Sequence, residues 1–182
     1  RARAATLLML ALPGSAYVYQ GEELGLPEVV DLPEDVLADP IWERSGHTVR
    51  GRDGARVPIP WERGGPSLGF GTDEPWLPQP ATWAELSVEA QEGVEGSTLE
   101  TYRSALLLRR RLLRTPGMEW LDSPPDSLMF RRDAIGGGSV VCAVNLGPEA
   151  VAVPAYDEIL LSSDPLDGDV LPPDTAAWLR VT

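Results

Sequence analysis

The chain has 182 residues, 43% hydrophobic and 24% charged, and a net charge of −13. That length suits one domain, or a small domain with part of another, and that charge excludes a nucleic-acid or anionic-membrane partner, because both need a basic surface. The single cysteine, Cys142, lies in the apolar run GSVVCAVNLG, which excludes a disulfide framework and a cysteine-held metal site and favours a cytoplasmic location.

Residues 1–14, RARAATLLMLALPG, predict a helix stopped by Pro13-Gly14. It is apolar nearly all round after Ala4, so it suits burial, and it is too short to span a bilayer. Residues 15–20, SAYVYQ, predict a strand that ends in the acidic turn Gln20-Gly21-Glu22-Glu23. Helix, tight turn and strand make half of an alternating α/β unit. Such a strand needs parallel neighbours on both edges.

Residues 27–97 are irregular and rich in proline, with tryptophans Trp42, Trp61, Trp76 and Trp83. A long stretch of this kind that keeps its tryptophans predicts a packed excursion with a functional role. Residues 97–114, STLETYRSALLLRRRLLR, predict the clearest helix, with Ser97 as N-cap and Glu100 completing a capping box. Arg109, Arg110, Arg111 and Arg114 crowd its last turns, where they are expected to complement the helix's own dipole on a solvated face. Residues 118–182 alternate short apolar runs with turn clusters, which predicts a small antiparallel β module.

No glycine-rich phosphate loop and no GxSxG is present. His47, the only histidine, sits in the polar loop ERSGHTVRGRD and reads as a surface residue. Neither a metal nor a cofactor is expected, since no carboxylate–histidine spacing suggests a ligand set. The loop GRDGARVPIPWE, residues 51–62, places Arg52, Asp53 and Arg56 between glycines and leads to Trp61. Arginine forks and a carboxylate beside aromatic faces suit a sugar ring and its hydroxyls. The same residues also suit an Arg–Asp pair that only ties the loop down.

Taken together, LPGSAYVYQGEELGLPEV, GRDGARVPIPWE, DEPWLPQP and TLETYRSALLLRRRLL resemble glycoside hydrolase family 13, the α-amylase family, in its α-glucosidase and oligo-1,6-glucosidase branch. The resemblance runs from end to end. It implies an α/β plus all-β fold: the last βα segment of a (β/α)8 barrel, then a small antiparallel β-sandwich. Residues 1–114 would hold the penultimate helix, the eighth strand, a long loop and the last helix, and residues 118–182 the sandwich. The implied activity is that of a retaining α-glucosidase hydrolysing terminal α-linked glucose from oligosaccharides, with the site at the C-terminal ends of the barrel strands.

In that family the aspartate nucleophile, the glutamate acid/base and a third carboxylate all precede the eighth strand, which places them upstream of Arg1. The third sits in an Asn-His-Asp motif, and these residues hold no His-Asp pair. The chain is therefore expected to contribute no catalytic residue and to be inactive by itself. The resemblance carries over substrate-binding positions: Glu23, preferred to Glu22, facing the acceptor sugar, and Arg52 and Asp53 in the loop that closes over it. Val57 and Ile59-Pro60 depart from the threonine and Met-Gln of the oligo-1,6-glucosidase version, which weakens any α-1,6 preference. The alternatives are a trehalose synthase or an α-amylase of the same clan, and a non-catalytic carbohydrate-binding β module. The N-terminal helix and the YQGEE segment argue against the last. A barrel strand at 15–20 without neighbours would expose its edges, so the isolated chain is expected to self-associate through it.

Overall fold

The computed structural model describes residues 1–182. In chain order the helices are α1 (Ala2–Ala11), α2 (Pro40–Arg44), α3 (Val88–Gln91) and α4 (Thr98–Leu112). The strands are β1 (Glu119–Leu121), β2 (Ser127–Asp133), β3 (Ser139–Asn145), β4 (Val151–Ala152), β5 (Glu158–Ser162), β6 (Val170–Leu171) and β7 (Thr175–Val181). Residues 1–17 and 95–182 form one unit, and residues 18–94 form another.

The first unit is built on a five-stranded antiparallel sheet of order β1-β2-β3-β7-β5. Alternation along the strands gives the sheet two apolar faces. Phe130, Cys142 and Trp178 lie side by side on one face, and Met129, Ala143 and Ala177 on the other. The first face packs against Leu7 and Leu10 of α1 and Tyr102 and Ala105 of α4. The second packs against Val151 and Leu171 of the two-stranded β4–β6 sheet. This explains why β3 reads as a continuous apolar run: both faces are covered. Each fully buried leucine of α1 contributes about 1.5–3 kcal/mol by leaving water.

Polar side chains start α4 and tie the end of α1 to α4 and to the sheet. The Ser97 hydroxyl accepts from the Glu100 amide at 3.2 Å and starts α4, as its sequence predicts. The arginines do something the sequence does not suggest. Arg109 leaves its own helix end and donates from Nη1 to the Leu10 carbonyl and, at 2.7 Å, to that of Leu12. Arg132, only 3% exposed, donates to the carbonyls of Ala11 at 2.9 Å, Leu113 at 3.1 Å and Thr115. The last turn of α1 has no basic residue of its own. Its free carbonyls attract guanidinium groups from elsewhere, because a helix C-terminus carries partial negative charge. Burial, and then the nearby Arg109, holds the Arg132 guanidinium below its ordinary pKa.

The strand expected at residues 15–20 does not form. Tyr17 is 84% exposed, and Val18 and Tyr19 are exposed with it. A parallel strand is stabilised by its neighbours' ladders, and these 182 residues contain none for it.

The second unit has no strand. It consists of α2, α3 and short 3-10 turns around Leu32, Val57, Leu77 and Trp83. The packed excursion expected of these residues is therefore present, but only part of its tryptophan set is inside. Trp42 and Trp83 are buried, while Trp61 and Trp76 are exposed.

Candidate substrate-binding site

The YQGEE segment ends in a 3-10 turn, Glu22–Leu24, bracketed by Gly21 (φ 91°) and Gly25 (φ 70°), both left-handed. Glycine adopts that backbone without the Cβ strain other residues meet. The half-buried Glu23 folds back on this turn, its Oε2 accepting from the Gly21 amide at 2.9 Å. Leu24 is buried beneath, and Gln91 Nε2 of α3 donates to the Leu24 carbonyl at 2.9 Å, which pins the turn from below. Glu22 is exposed.

The GRDGA loop is held from inside. Asp53 is 4% exposed, and its Oδ2 accepts from the amides of Ala38 at 2.7 Å and Asp39 at 2.8 Å. Asp39, itself buried, accepts from the Ile41 amide at 3.1 Å and so caps α2, with Pro40 at the first helical position. Its Oδ2 accepts from the Arg52 amide at 3.2 Å and lies 3.0 Å from Arg56 Nη1 and 3.8 Å from Arg52 Nε. The Ile41 amide, then the Arg52 amide and the Arg56 and Arg52 guanidiniums, outweigh desolvation and hold the Asp39 carboxyl below its ordinary pKa. Beyond this network the Arg52 side chain is 79% exposed. Close approach fixes the glycines: a Cβ on Gly54 would sit 2.3 Å from the Val29 carbonyl oxygen, and one on Gly51 2.6 Å from Asp39 Cβ.

The turn and the loop meet at an open cleft of about 170 Å³. Tyr19, Gln20, Gly21 and Glu22 line it from the turn, Gly54 and Ala55 from the loop, and Trp83 is also in its wall. A carboxylate, a phenol and an amide around an apolar wall can exchange hydrogen bonds with a polyhydroxyl ligand. Glu23, Arg52 and Asp53 are not in this lining. Glu23 lies against its own turn, Asp53 points into the loop, and Arg52 projects outward. Asp39 was absent from the residues singled out by sequence. Its signal was the string ADPIW, an acid before proline at a helix start, which marks an N-cap but says nothing of the distant arginines. His47 is exposed, hydrogen-bonded to Glu43 at 3.2 Å and stacked on Trp42 with centroids 4.8 Å apart, in keeping with its surface reading.

Comparison with known proteins places this architecture. The model of the alpha-amylase catalytic domain matches residues 1–115, and a domain of unknown function, DUF3459, matches residues 101–178. The chain belongs to the α-amylase family, glycoside hydrolase family 13. A probable alpha-glucosidase of Rhizobium meliloti (strain 1021) is 35% identical over 79% of this chain and 26% of its own length. A salivary alpha-glucosidase of Anopheles gambiae is 31% identical over 87% of this chain and 27% of its own. The chain thus spans about a quarter of these relatives. Among solved structures, an alpha-glucosyl transfer enzyme, XgtA, superposes on the whole chain with a TM-score of 0.79 at 33% identity, over 35% of its own length. The isomaltulose synthase of Klebsiella sp. LX3 shares the fold, with a TM-score of 0.78 at 21% identity, over 100% of this chain and 38% of its own. The fold class expected from sequence holds: the closing α/β segment of a (β/α)8 barrel enzyme and an antiparallel β domain. No helix of the chain is long and apolar enough to cross a membrane.

Proposed function

We propose that these residues are part of a retaining α-glucosidase that releases terminal α-linked glucose from oligosaccharides, and that they form the acceptor-sugar wall of its site. The observation that carries this reading is the meeting of the YQGEE turn and the GRDGA loop at one cleft. Glu23 and Arg52, which stand on that turn and that loop but outside the lining of the cleft, are the side chains proposed to reach the acceptor sugar, and Asp53 acts through the loop it holds. The names of the relatives support the substrate class. Residues 1–114 are assigned to the barrel domain and 118–182 to the β domain; the first match, to residues 1–115, supports the end of the barrel part, while the second begins at residue 101 and takes in most of α4. The lone, buried Cys142 supports a cytoplasmic setting.

Retaining hydrolysis needs a nucleophile and an acid/base about 5 Å apart, flanking the scissile bond. No residue assigned here takes either part. The purified 182-residue chain will therefore leave p-nitrophenyl α-glucoside unhydrolysed, while the enzyme that contains it will hydrolyse it. Turnover by the 182 residues alone, abolished by Glu23→Gln, would overturn the reading. Glucosyl transfer to a sugar is the second reading, favoured by the 33% identity to an alpha-glucosyl transfer enzyme. Product analysis separates the two: free glucose for hydrolysis, a lengthened saccharide for transfer.

A further inference from the structure

We infer that Asp39 is a positioning residue: it sets where the Arg52 guanidinium stands and so tunes handling of the acceptor sugar. The inference rests on the reading of the Arg52 loop as an acceptor wall and adds a residue to which that reading assigned nothing.

The geometry is a reciprocal latch. The Asp53 carboxylate accepts the Asp39 amide at 2.8 Å, and the Asp39 carboxylate accepts the Arg52 amide at 3.2 Å. Each acid therefore fixes the backbone of the other's segment. Two short pieces of chain, 38–41 and 51–56, are locked in register across a span of 13 residues. Asp39 adds two links that Asp53 lacks. It caps α2 through the Ile41 amide, and it faces both guanidiniums, Arg56 at 3.0 Å and Arg52 at 3.8 Å. The nearer one, Arg56, also reaches Asp53 at 3.5 Å, so it bridges the two acids and offsets their mutual repulsion.

Arg52 is held differently from Arg56. Its backbone is fixed at the amide, and its guanidinium is tethered loosely at one nitrogen while the side chain remains 79% exposed. A side chain fixed at its root and exposed at its tip is pre-organised for a ligand, because less rotamer freedom is lost on binding. Gly51 belongs to the same device. The Asp39 side chain occupies the space a Cβ at residue 51 would need, so the acid packs against the loop backbone immediately before Arg52. The exposed rim of an ordinary loop would show neither the buried acid nor the glycine made obligatory by it.

The test uses the full-length enzyme carrying these residues, with Asp39→Asn, Asp39→Ala, Arg52→Ala and the Asp39→Ala/Arg52→Ala double variant. Each is assayed on maltose, which presents an acceptor sugar, and on p-nitrophenyl α-glucoside, which does not. Asp39→Ala should lower kcat/KM for maltose about tenfold, the scale of one charge-assisted hydrogen bond, while the aryl glucoside changes less than about twofold. Asp39→Asn keeps one acceptor oxygen, enough for either the Ile41 or the Arg52 amide but not both, and should recover at most about half of the loss on a logarithmic scale. The double variant should be no worse on maltose than Arg52→Ala, because residues acting as one unit do not add. Multiplying effects, or equal losses on both substrates from Asp39→Ala beside a maltose-selective Arg52→Ala, would overturn the inference and leave the acceptor-wall reading standing. If Arg52→Ala itself shows no selectivity, both fall. Amide exchange guards against unfolding of the 18–94 unit: in Asp39→Ala it should accelerate at Arg52 while the Trp61 amide, bonded to the Leu68 carbonyl in the same unit, keeps its protection, and acceleration at both would overturn the local role.

Discussion

Trp178 on the last strand donates its indole N–H to the carbonyl of Leu7 on the first helix, at 3.1 Å and across 171 positions of sequence. Both residues are completely buried. The bond takes a carbonyl in the middle of α1, so the helix is held against the sheet along its length as well as at its end. There Arg109 and Arg132 hold the carbonyls of Leu12 and Ala11. Unfolding of the β domain must therefore release α1.

Arg132→Met tests the end of that attachment. The substitution keeps the apolar stem but strands several buried carbonyls, and a loss of about 3 kcal/mol is expected. The neighbouring Arg131 pairs with Glu119 in solvent, so Arg131→Met should cost no more than about 0.5 kcal/mol. Urea unfolding of the two variants measures the contrast. Equal costs would contradict the burial argument.

Stability should also depend on acid through Asp39. Its folded pKa lies below the ordinary 3.8, so its contribution is fully present above the unfolded value and is lost as pH falls through the folded one. The groups facing it are Asp53, Arg52 and Arg56. Wild type should exceed Asp39→Asn in urea midpoint at pH 7, and the gap should close below the ordinary carboxylate range. A gap constant from pH 7 to pH 3 would show that the charge of Asp39 is not involved.

Cys142 should be chemically silent in the folded chain. It is 1% exposed on the sheet face under α1, and burial pushes its thiol pKa far up, so little thiolate exists to react. Thiol-reactive dye should label one group in guanidinium and none in native buffer over the same minutes. Fast native labelling would mean that the sheet–helix layer opens readily.

Hydrogen exchange should divide the chain sharply. Residues 15–20 have no ladder and should exchange within the dead time, whereas the central strand β3, bonded on both sides by β2 and β7, should be the slowest. Slow exchange at Tyr17–Gln20 in a monodisperse monomer would contradict this. Slow exchange in a dimer would instead support self-association through that segment.

Glu23→Gln in the full-length enzyme tests the turn. Its Oε2 accepts from the Gly21 amide, so glutamine can preserve the fold of the turn while removing the charge. A loss of about 1.5–3 kcal/mol in transition-state stabilisation is expected with disaccharides, and a smaller one with aryl glucosides. Equal losses on both would place Glu23 away from the acceptor sugar.

Sequence by itself determined the periodic elements and the family. Helices α1 and α4, the long apolar strands and the Ser97 cap are written in local spacing and capping residues, because their stabilising contacts lie within a turn or follow from alternation. The glycines of YQGEE and GRDGA announce turns for the same reason. Tertiary structure alone decided where the charges went. Arg109 looks like a cap for its own helix and serves another. Arg132 looks like one of two strand arginines and is the buried one. Asp39 looks like a simple N-cap and also holds Arg52 and Arg56. In each case the partner lies 13 or more residues away, and a polar side chain settles wherever unsatisfied backbone groups or opposite charge come within reach after the chain has packed. The segment at 15–20 shows the converse: its sequence favours a strand, but a strand exists only where another chain segment offers its ladder.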